Sequence, residues 1–260
     1  MRIIIDEIHN QTTNSMEMLS IDVSNYCSKE CPFCYNHSHR NGNTMWLPQE
    51  IISFATDCID HGVKAISLGG GEPFEYEGIF DVIRNLQRKC YLSVTSNGLP
   101  LEDEAVWDKL LSAQPDKIHI TIHHPQDDDE VLRVLGKMPL LQEIGIKPGI
   151  NLLIGADNIQ AAKATYMKAI KILTHDQIIL VPQRFSNTPS TKQLASVSDG
   201  HPFQSPSCLL GCKRPTKFAS VSWDKKVNSC SFAGGKTILT SLDFAGLQKA
   251  LSKVTFRSCE

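Results

Sequence analysis

The 260-residue sequence has no long hydrophobic run: its apolar stretches last a few residues, far short of the roughly 20 needed to cross a bilayer. The first twenty residues lack a basic start followed by an apolar core, so no secretion signal is expected and a cytoplasmic location is. Charge of one sign is missing as well, since 26 Lys and Arg against 28 Asp and Glu leave a net charge of -2. No global field therefore draws in nucleic acid or an anionic membrane. Low-complexity runs are absent, and no repeat appears beyond a βα alternation. With 41% hydrophobic and 21% charged residues, disordered and collagen-like readings fail, and the length suits one or two globular domains. Cysteine is not scarce. Nine cysteines without a secretion signal argue against structural disulfides and for metal or redox chemistry.

From about residue 16 to 182, short β-branched runs alternate with amphipathic segments. Strands are expected at 18–23, 65–68, 92–95, 118–122, 150–154 and 178–181, with five segments of helical spacing between them. Alternation of this kind predicts an α/β chain of repeated βα units around a parallel sheet. Six units are too few for an eight-fold barrel, which leaves an open partial barrel or a doubly wound sheet. In both, ligands gather at the carboxyl ends of the strands. The organisation expected is an N-terminal segment at 1–15, a βα unit at 16–185, a loop or linker at 186–207 and a Cys-rich extension at 208–260. Twelve of the 22 residues at 186–207 are Ser, Thr, Pro or Gly. The extension reads as a hairpin followed by an amphipathic helix. It carries four of the nine cysteines and is too short to build a large core alone.

Cys27, Cys31 and Cys34 fall in one eight-residue loop after the first strand. Three thiolates so spaced can hold three irons of a cubane and leave the fourth open. A zinc site would need a fourth ligand, for which His37 and His39 are near in sequence. Gly70, Gly71, Glu72 and Pro73 end the second strand; glycines permit close backbone approach, and a carboxylate suits an ammonium group. Alone, such a stretch reads as a turn. Ser96 and Asn97 end the third strand, either as an Asn-Gly turn or as ligand contacts. On the fourth strand Ile118, Ile120 and Ile122 alternate with His119, Thr121 and His123. Cys58 and Cys90 read as buried apolar residues, and Asp127 to Glu130 as a charged helix start.

The loop Cys27, Cys31, Phe33, Cys34 resembles the signature of the radical S-adenosylmethionine (radical SAM) superfamily, and the resemblance runs from residue 16 to about 182. It implies a partial (β/α)6 TIM-like barrel, a [4Fe-4S] cluster on Cys27, Cys31 and Cys34, and S-adenosylmethionine bound at the open iron. Gly70 to Pro73 look like the motif that binds the methionine amino group. Ser96 and Asn97 would meet the methionine carboxylate or ribose, Asn151 and Val181 the ribose and adenine, and Phe33, Tyr35, Thr121 and His123 complete the cofactor contacts. The family more usually carries Ser and Asp where this chain has Thr121 and His123. The chemistry implied is reductive cleavage to a 5'-deoxyadenosyl radical that abstracts hydrogen from a substrate carbon, fed by a reductant such as flavodoxin or ferredoxin.

Cys208, Cys212, Cys230 and Cys259 form a second set. It resembles the SPASM and Twitch auxiliary-cluster extensions, which implies a second [4Fe-4S] cluster; zinc and free thiols are the alternatives. Small chains of this pattern resemble maturases of ribosomally made peptides that cross-link, epimerise or excise. The expected partners are then a precursor peptide and a separate leader-recognition protein, because 260 residues leave little room for that domain. The alternatives are a small-molecule or tRNA-modifying enzyme of the same superfamily, or an electron-transfer or zinc-stabilised binding module.

Overall fold

A computed structural model describes residues 16–184 and 187–257; the N-terminal segment expected at 1–15 lies outside the described residues. Six strands are laid down in chain order: β1 (Met18–Asp22), β2 (Ala65–Gly69), β3 (Tyr91–Ser96), β4 (Lys117–Ile122), β5 (Lys147–Ile154) and β6 (Ile178–Pro182). Each pairs in parallel with the next. The crossovers are α1 (Pro48–Asp60), α2 (Ile79–Leu86), α3 (Glu104–Ser112), α4 (Asp128–Glu143) and α5 (Ile159–Ala169).

Period-two alternation sorts the strand side chains. Ile118, Ile120, Ile122, Ile150, Leu152 and Ile154 are fully buried against the helices, while His119, Thr121 and Asn151 take the opposite, concave face. The helices answer with one apolar stripe each, Ile51, Phe54, Ala55 and Cys58 on α1 being buried. Pro48 opens α1, where its missing N–H costs nothing, and Glu50 reaches back to accept from Leu47 N at 2.9 Å.

The C-terminal extension belongs to the same sheet. β7 (Phe218–Val221) runs parallel to β1, pairing Leu19 with Ala219 and Ile21 with Val221. Antiparallel β8 (Lys226–Asn228) and β9 (Thr237–Ile238) continue it to a nine-stranded order of β6-β5-β4-β3-β2-β1-β7-β8-β9, which is not closed. A final helix, Phe244–Lys253, packs Phe244, Leu247 and Ala250 into the core that also holds Val221 and Val227. Buried Trp46 donates from Nε1 to Ser222 O at 3.2 Å, tying α1's approach to the extension. The short tail thus solves its core problem by adding to the barrel.

The stretch expected as a loop or linker at 186–207 contains an ordered element. Within it lies a helix, α6 (Thr191–Val197), opened by Ser190, whose hydroxyl accepts from Gln193 N, and Leu194 and Val197 are buried. Numbering the final helix after it gives α7. Gln204 then bridges to Ile179, and Leu180 N donates to Gln204 O at 2.8 Å, so the stretch lines the β6 edge. Its Ser and Pro content marked caps and turns between buried anchors. No helix among the described residues is long and apolar enough to cross a membrane.

Because α7 buries Leu247 in the shared core, Leu247→Ala is expected to cost about 2–5 kcal/mol and to lower a single cooperative unfolding transition. Denaturant unfolding followed by fluorescence and by circular dichroism checks this: two separated transitions would show an independent tail.

Candidate active site

The three loop cysteines leave the carboxyl end of β1. Cys27 N donates to His39 O at 3.2 Å, Cys34 N to Cys31 O at 3.0 Å and His37 N to Cys34 O at 3.1 Å, so the loop is folded by its own backbone. Glu30 and His37 both take φ of 50°, the left-handed region that tight reversals demand. Neighbouring elements brace it. Ser28 donates from N and Oγ to the Glu75 carboxylate at 3.0 and 2.5 Å, and Arg40 Nε donates to Ser28 O at 3.1 Å. Asn97, from the turn after β3, donates from Nδ2 to Cys27 Sγ at 3.5 Å.

Burial pushes the Cys31 thiol up to about 11, Lys29 opposes this, and Cys27 and Cys34 add to it. The three thiols share one loop, Cys27 buried and Cys31 and Cys34 partly so, a donor set suited to a metal group, on which a coordinated thiol is deprotonated outright. No group of three or more His, Cys, Asp or Glu among the described residues is arranged for a single metal ion. A tetrahedral zinc at about 2.3 Å from each sulfur would draw thiolates to within about 3.8 Å of one another. In a cubane each thiolate takes a different iron and the sulfurs stand farther apart. Cys27, Cys31 and Cys34 share one loop at the carboxyl end of β1, the donor set that a cubane with an open iron would need, and among the described residues they are not gathered with His37 and His39 into a single-ion site.

The glycine motif meets this loop directly. Gly70 has φ of 112°, and a Cβ on Gly71 would lie 1.9 Å from Tyr26 O. Gly71 N donates to Ser24 O at 2.7 Å and Glu72 N to Tyr26 O at 2.8 Å. The close approach that the glycines permit is thus to the chain leading into Cys27. Glu72 is fully buried; its carboxylate accepts from Phe74 N at 3.1 Å, Ser96 Oγ at 2.8 Å and Asn97 N at 2.7 Å. Burial raises its pKa to about 7 against those donors. Pro73 opens the short 3-10 turn Pro73–Glu75 behind it.

A second buried carboxylate, Glu130, lies at the first turn of α4. The sequence marks Asp127 to Glu130 as a charged helix start; Asp127, Asp128 and Asp129 fill that role at the surface, Asp127 accepting from Asp129 N and Glu130 N, whereas Glu130 is turned inward. Glu130 accepts from His123 N at 2.8 Å and pairs with Lys29 Nζ at 3.1 Å, joining the cysteine loop to the end of β4. Although burial alone would raise it, His123 and Lys29 hold its pKa down to about 2. His123 is lowered by its own burial, with Glu130 opposing. No spacing rule marks Glu130; a Glu in the first turn after a strand that ends at the site was the available signal. Asp22 was missed for the same reason. It ends β1, is buried, and is pushed up to about 6 by burial, with Lys236 opposing.

Phe33, His123, His124, Gln126, Gln183 and Asn187 line a cleft of about 680 Å³ at the carboxyl ends of β4 to β6. Phe33 meets the His124 ring edge-on at 5.3 Å. Thr121 and Asn151 stand below on adjacent strands, and Asn151 Oδ1 is 3.0 Å from His119 Nδ1. Val181 lies on β6 beside Leu153. Tyr35 points toward the other flank, its ring 4.7 Å from Phe232 of the extension, and Asp22 together with burial raises its hydroxyl well above the usual range. Cys230 and Cys208 are half-buried and Cys212 is exposed, while Cys259 lies outside the described residues. Cys58 is fully buried on α1, and Cys90 is half-buried.

The two buried carboxylates predict opposite pH responses. Glu72 titrates higher folded than unfolded, so the folded state binds more protons between its ordinary 4.5 and about 7, and its contribution to stability falls as pH rises through that window. Glu130 is lowered, so its contribution is present above 4.5 and lost as pH falls toward about 2. Glu72→Gln should flatten the pH 4.5–7 part of the stability profile relative to wild type, and Glu130→Gln the acid part. Denaturation midpoints across pH check both; unchanged slopes would show neither group titrating in the fold.

Residues 21–147 match the profile described as Radical SAM superfamily. Over 107 residues the chain is 31% identical to "Probable GTP 3',8-cyclase" of Methanocaldococcus jannaschii, covering 40% of this chain and 35% of that protein. Against the protein of that name from Saccharolobus solfataricus it is 27% identical over 158 residues, 56% of this chain and 51% of the relative. The chain thus spans about half or less of the length of these curated relatives. Among solved structures, Streptococcus suis SuiB bound to S-adenosylmethionine matches with TM-score 0.65 at 12% identity, covering 83% of this chain and 60% of that one. The anSMEcpe structure with AdoMet and the Cp18Cys peptide matches with TM-score 0.62 at 14% identity, covering 91% and 82%. The cysteine loop, the barrel and the match over residues 21–147 together identify a radical SAM domain in this chain.

Proposed function

We propose that the chain binds a [4Fe-4S] cluster on Cys27, Cys31 and Cys34 with S-adenosylmethionine beside it, and acts on a peptide substrate. When bound, these groups would supply a 5'-deoxyadenosyl radical that takes hydrogen from a substrate carbon. The residues around them bind and orient. Phe33 and His123 line the cleft, and with Thr121, Asn151 and Val181 on β4 to β6 they would hold the nucleoside end, while Ser96 and Asn97 sit beside Cys27 through the Glu72 carboxylate. The GG-turn fixes the loop, and the Lys29 to Glu130 pair closes its outer side.

The observation that carries the substrate reading is the lining of the cleft. Among the described residues it presents the side-chain amides of Gln126, Asn158, Gln160, Gln183 and Asn187 and the carboxylate of Asp157, with no Lys or Arg. Amides match peptide groups as donors and acceptors, whereas a triphosphate calls for a cationic clamp. About 680 Å³ is room for one small molecule. With the cofactor in place, one residue of an extended chain fits at the mouth better than a second whole nucleotide. The peptide-bound fold relatives support this reading; the sequence likeness to proteins named for GTP cyclisation favours a nucleotide substrate, and that is the second reading. A leader-recognition partner, a flavodoxin or ferredoxin reductant and a cytoplasmic setting go with the first.

A second cluster on Cys208, Cys212, Cys230 and Cys259 is part of the proposal. A further cleft of about 560 Å³ is lined by Arg214, Pro215 and Thr216 after Cys212, by Ser229 before Cys230 and by Leu251 of α7. The Ser229 hydroxyl is buried without a partner. Cys208, Cys212 and Cys230 do not themselves line this cleft, which lies beside the segments following Cys212 and preceding Cys230.

Anaerobic reconstitution is expected to give about eight irons per chain and about four after Cys208, Cys212 and Cys230 are replaced by Ala; iron near four in both would remove the second cluster. With a strong reductant, the wild type should form 5'-deoxyadenosine and the Cys27, Cys31, Cys34 triple Ala variant none. Supplying candidate precursor peptides and, separately, GTP decides the substrate: a peptide mass change coupled to 5'-deoxyadenosine supports the proposal, and consumption of GTP in its place overturns it.

A further inference from the structure

Asn97 sits in the turn that leaves β3, and every polar group on it is assigned. Its backbone N–H donates to Glu72 Oε2 at 2.7 Å, and its Oδ1 accepts from Leu99 N at 2.7 Å. Leu99 supplies an N–H, so the side-chain atom facing it must be the oxygen, and the amide cannot be flipped. Nδ2 is thereby left 3.5 Å from Cys27 Sγ, with Asn97 6% and Cys27 9% exposed. The donor is aimed at a sulfur rather than into the cleft, and it is shielded from water that could compete for it.

We propose that Asn97 is a positioning residue that sets the reduction potential of the cluster on Cys27, Cys31 and Cys34 by donating its side-chain N–H to the Cys27 sulfur. The inference rests on the cluster reading above and adds a role to a residue otherwise expected to meet S-adenosylmethionine. An N–H directed at a ligand sulfur stabilises the more negative, reduced state more than the oxidised one, and so raises the potential. Glu72 acts at one remove. Its buried carboxylate grips the Asn97 N–H and the Ser96 hydroxyl, and Ser96 Oγ accepts from Gly98 N at 2.9 Å, so the turn cannot swing the amide away from Cys27.

The test is a dye-mediated redox titration of the full chain, reconstituted anaerobically and followed by the electron paramagnetic resonance signal of the reduced cluster. Asn97→Ala exchanges neutral for neutral and removes the donor together with the oxygen that accepts from Leu99 N. Asn97→Asp retains the oxygen that accepts from Leu99 N, so the turn keeps its bond while the donor becomes an acceptor. The expected result is wild-type iron content in both variants and a midpoint potential displaced to more negative values in both, further in Asp. Wild-type iron with an unmoved potential in Asn97→Ala overturns the inference and leaves the cluster reading standing. Loss of iron from both variants also overturns it, because a donor to a ligand sulfur is not a ligand. A wild-type chain that takes up no iron overturns the cluster reading and the inference together.

Discussion

Where Gly71 crosses Tyr26, backbone lies on backbone: a Cβ would come within 1.9 Å of the Tyr26 carbonyl oxygen, and at Gly70 within 2.5 Å of that of Ser24. The contact is made at the carboxyl ends of β1 and β2, where the parallel ladder has just ended and the two chains would otherwise diverge. Two further hydrogen bonds, from Gly71 N and Glu72 N, extend the pairing past the strands. Everything else at the site is referred to this seam. It sets where Cys27 emerges, and it delivers Glu72 to a depth where its carboxylate reaches the β3 turn and fixes Asn97 against the Cys27 sulfur.

Burial alone does not decide how the two carboxylates of the site behave. Glu72 meets only neutral donors, two backbone N–H groups and a hydroxyl, and desolvation wins, leaving its pKa near 7. Glu130 is almost as deeply placed but faces Lys29 and His123, and its pKa falls to about 2. The permanently ionised group is thus the one that anchors the outer side of the cysteine loop, and the one nearer neutrality lies on the inner side. Removing Lys29 would strand a buried charge, which costs more than the pair itself contributes.

The barrel was legible because its signal is local. Each strand is a short β-branched run, and each helix shows its stripe within four turns, so strand edges at 65–68 or 178–181 differ from Ala65–Gly69 and Ile178–Pro182 by a residue or so. The cysteine loop and the glycine turn were legible because spacing and residue type carry their chemistry. What was hidden depends on contacts distant in sequence. The pairing of Met18 with Phe218 joins strands 200 residues apart, and nothing in either run announces its neighbour. Glu130 reads as one more acid in an acidic run, and only the fold shows that it alone of the four is turned inward to Lys29. At 186–207 composition misled, since the same Ser that suits a linker also caps α6.

The added strands lie outside the span of the family profile. The curated relatives match over 107 and 158 residues, and the family profile over 21–147, a span that takes in the cysteine loop and the glycine turn. β7 to β9 extend the sheet from β1, on the side where Tyr35 meets Phe232, while the cleft opens on the opposite side at β4 to β6. The extension therefore flanks the loop without filling the cleft. The surface between the two, where Arg184 lies over the Phe232 ring at 4.7 Å, falls outside the span of the family profile, and a likeness confined to that span carries no information about it.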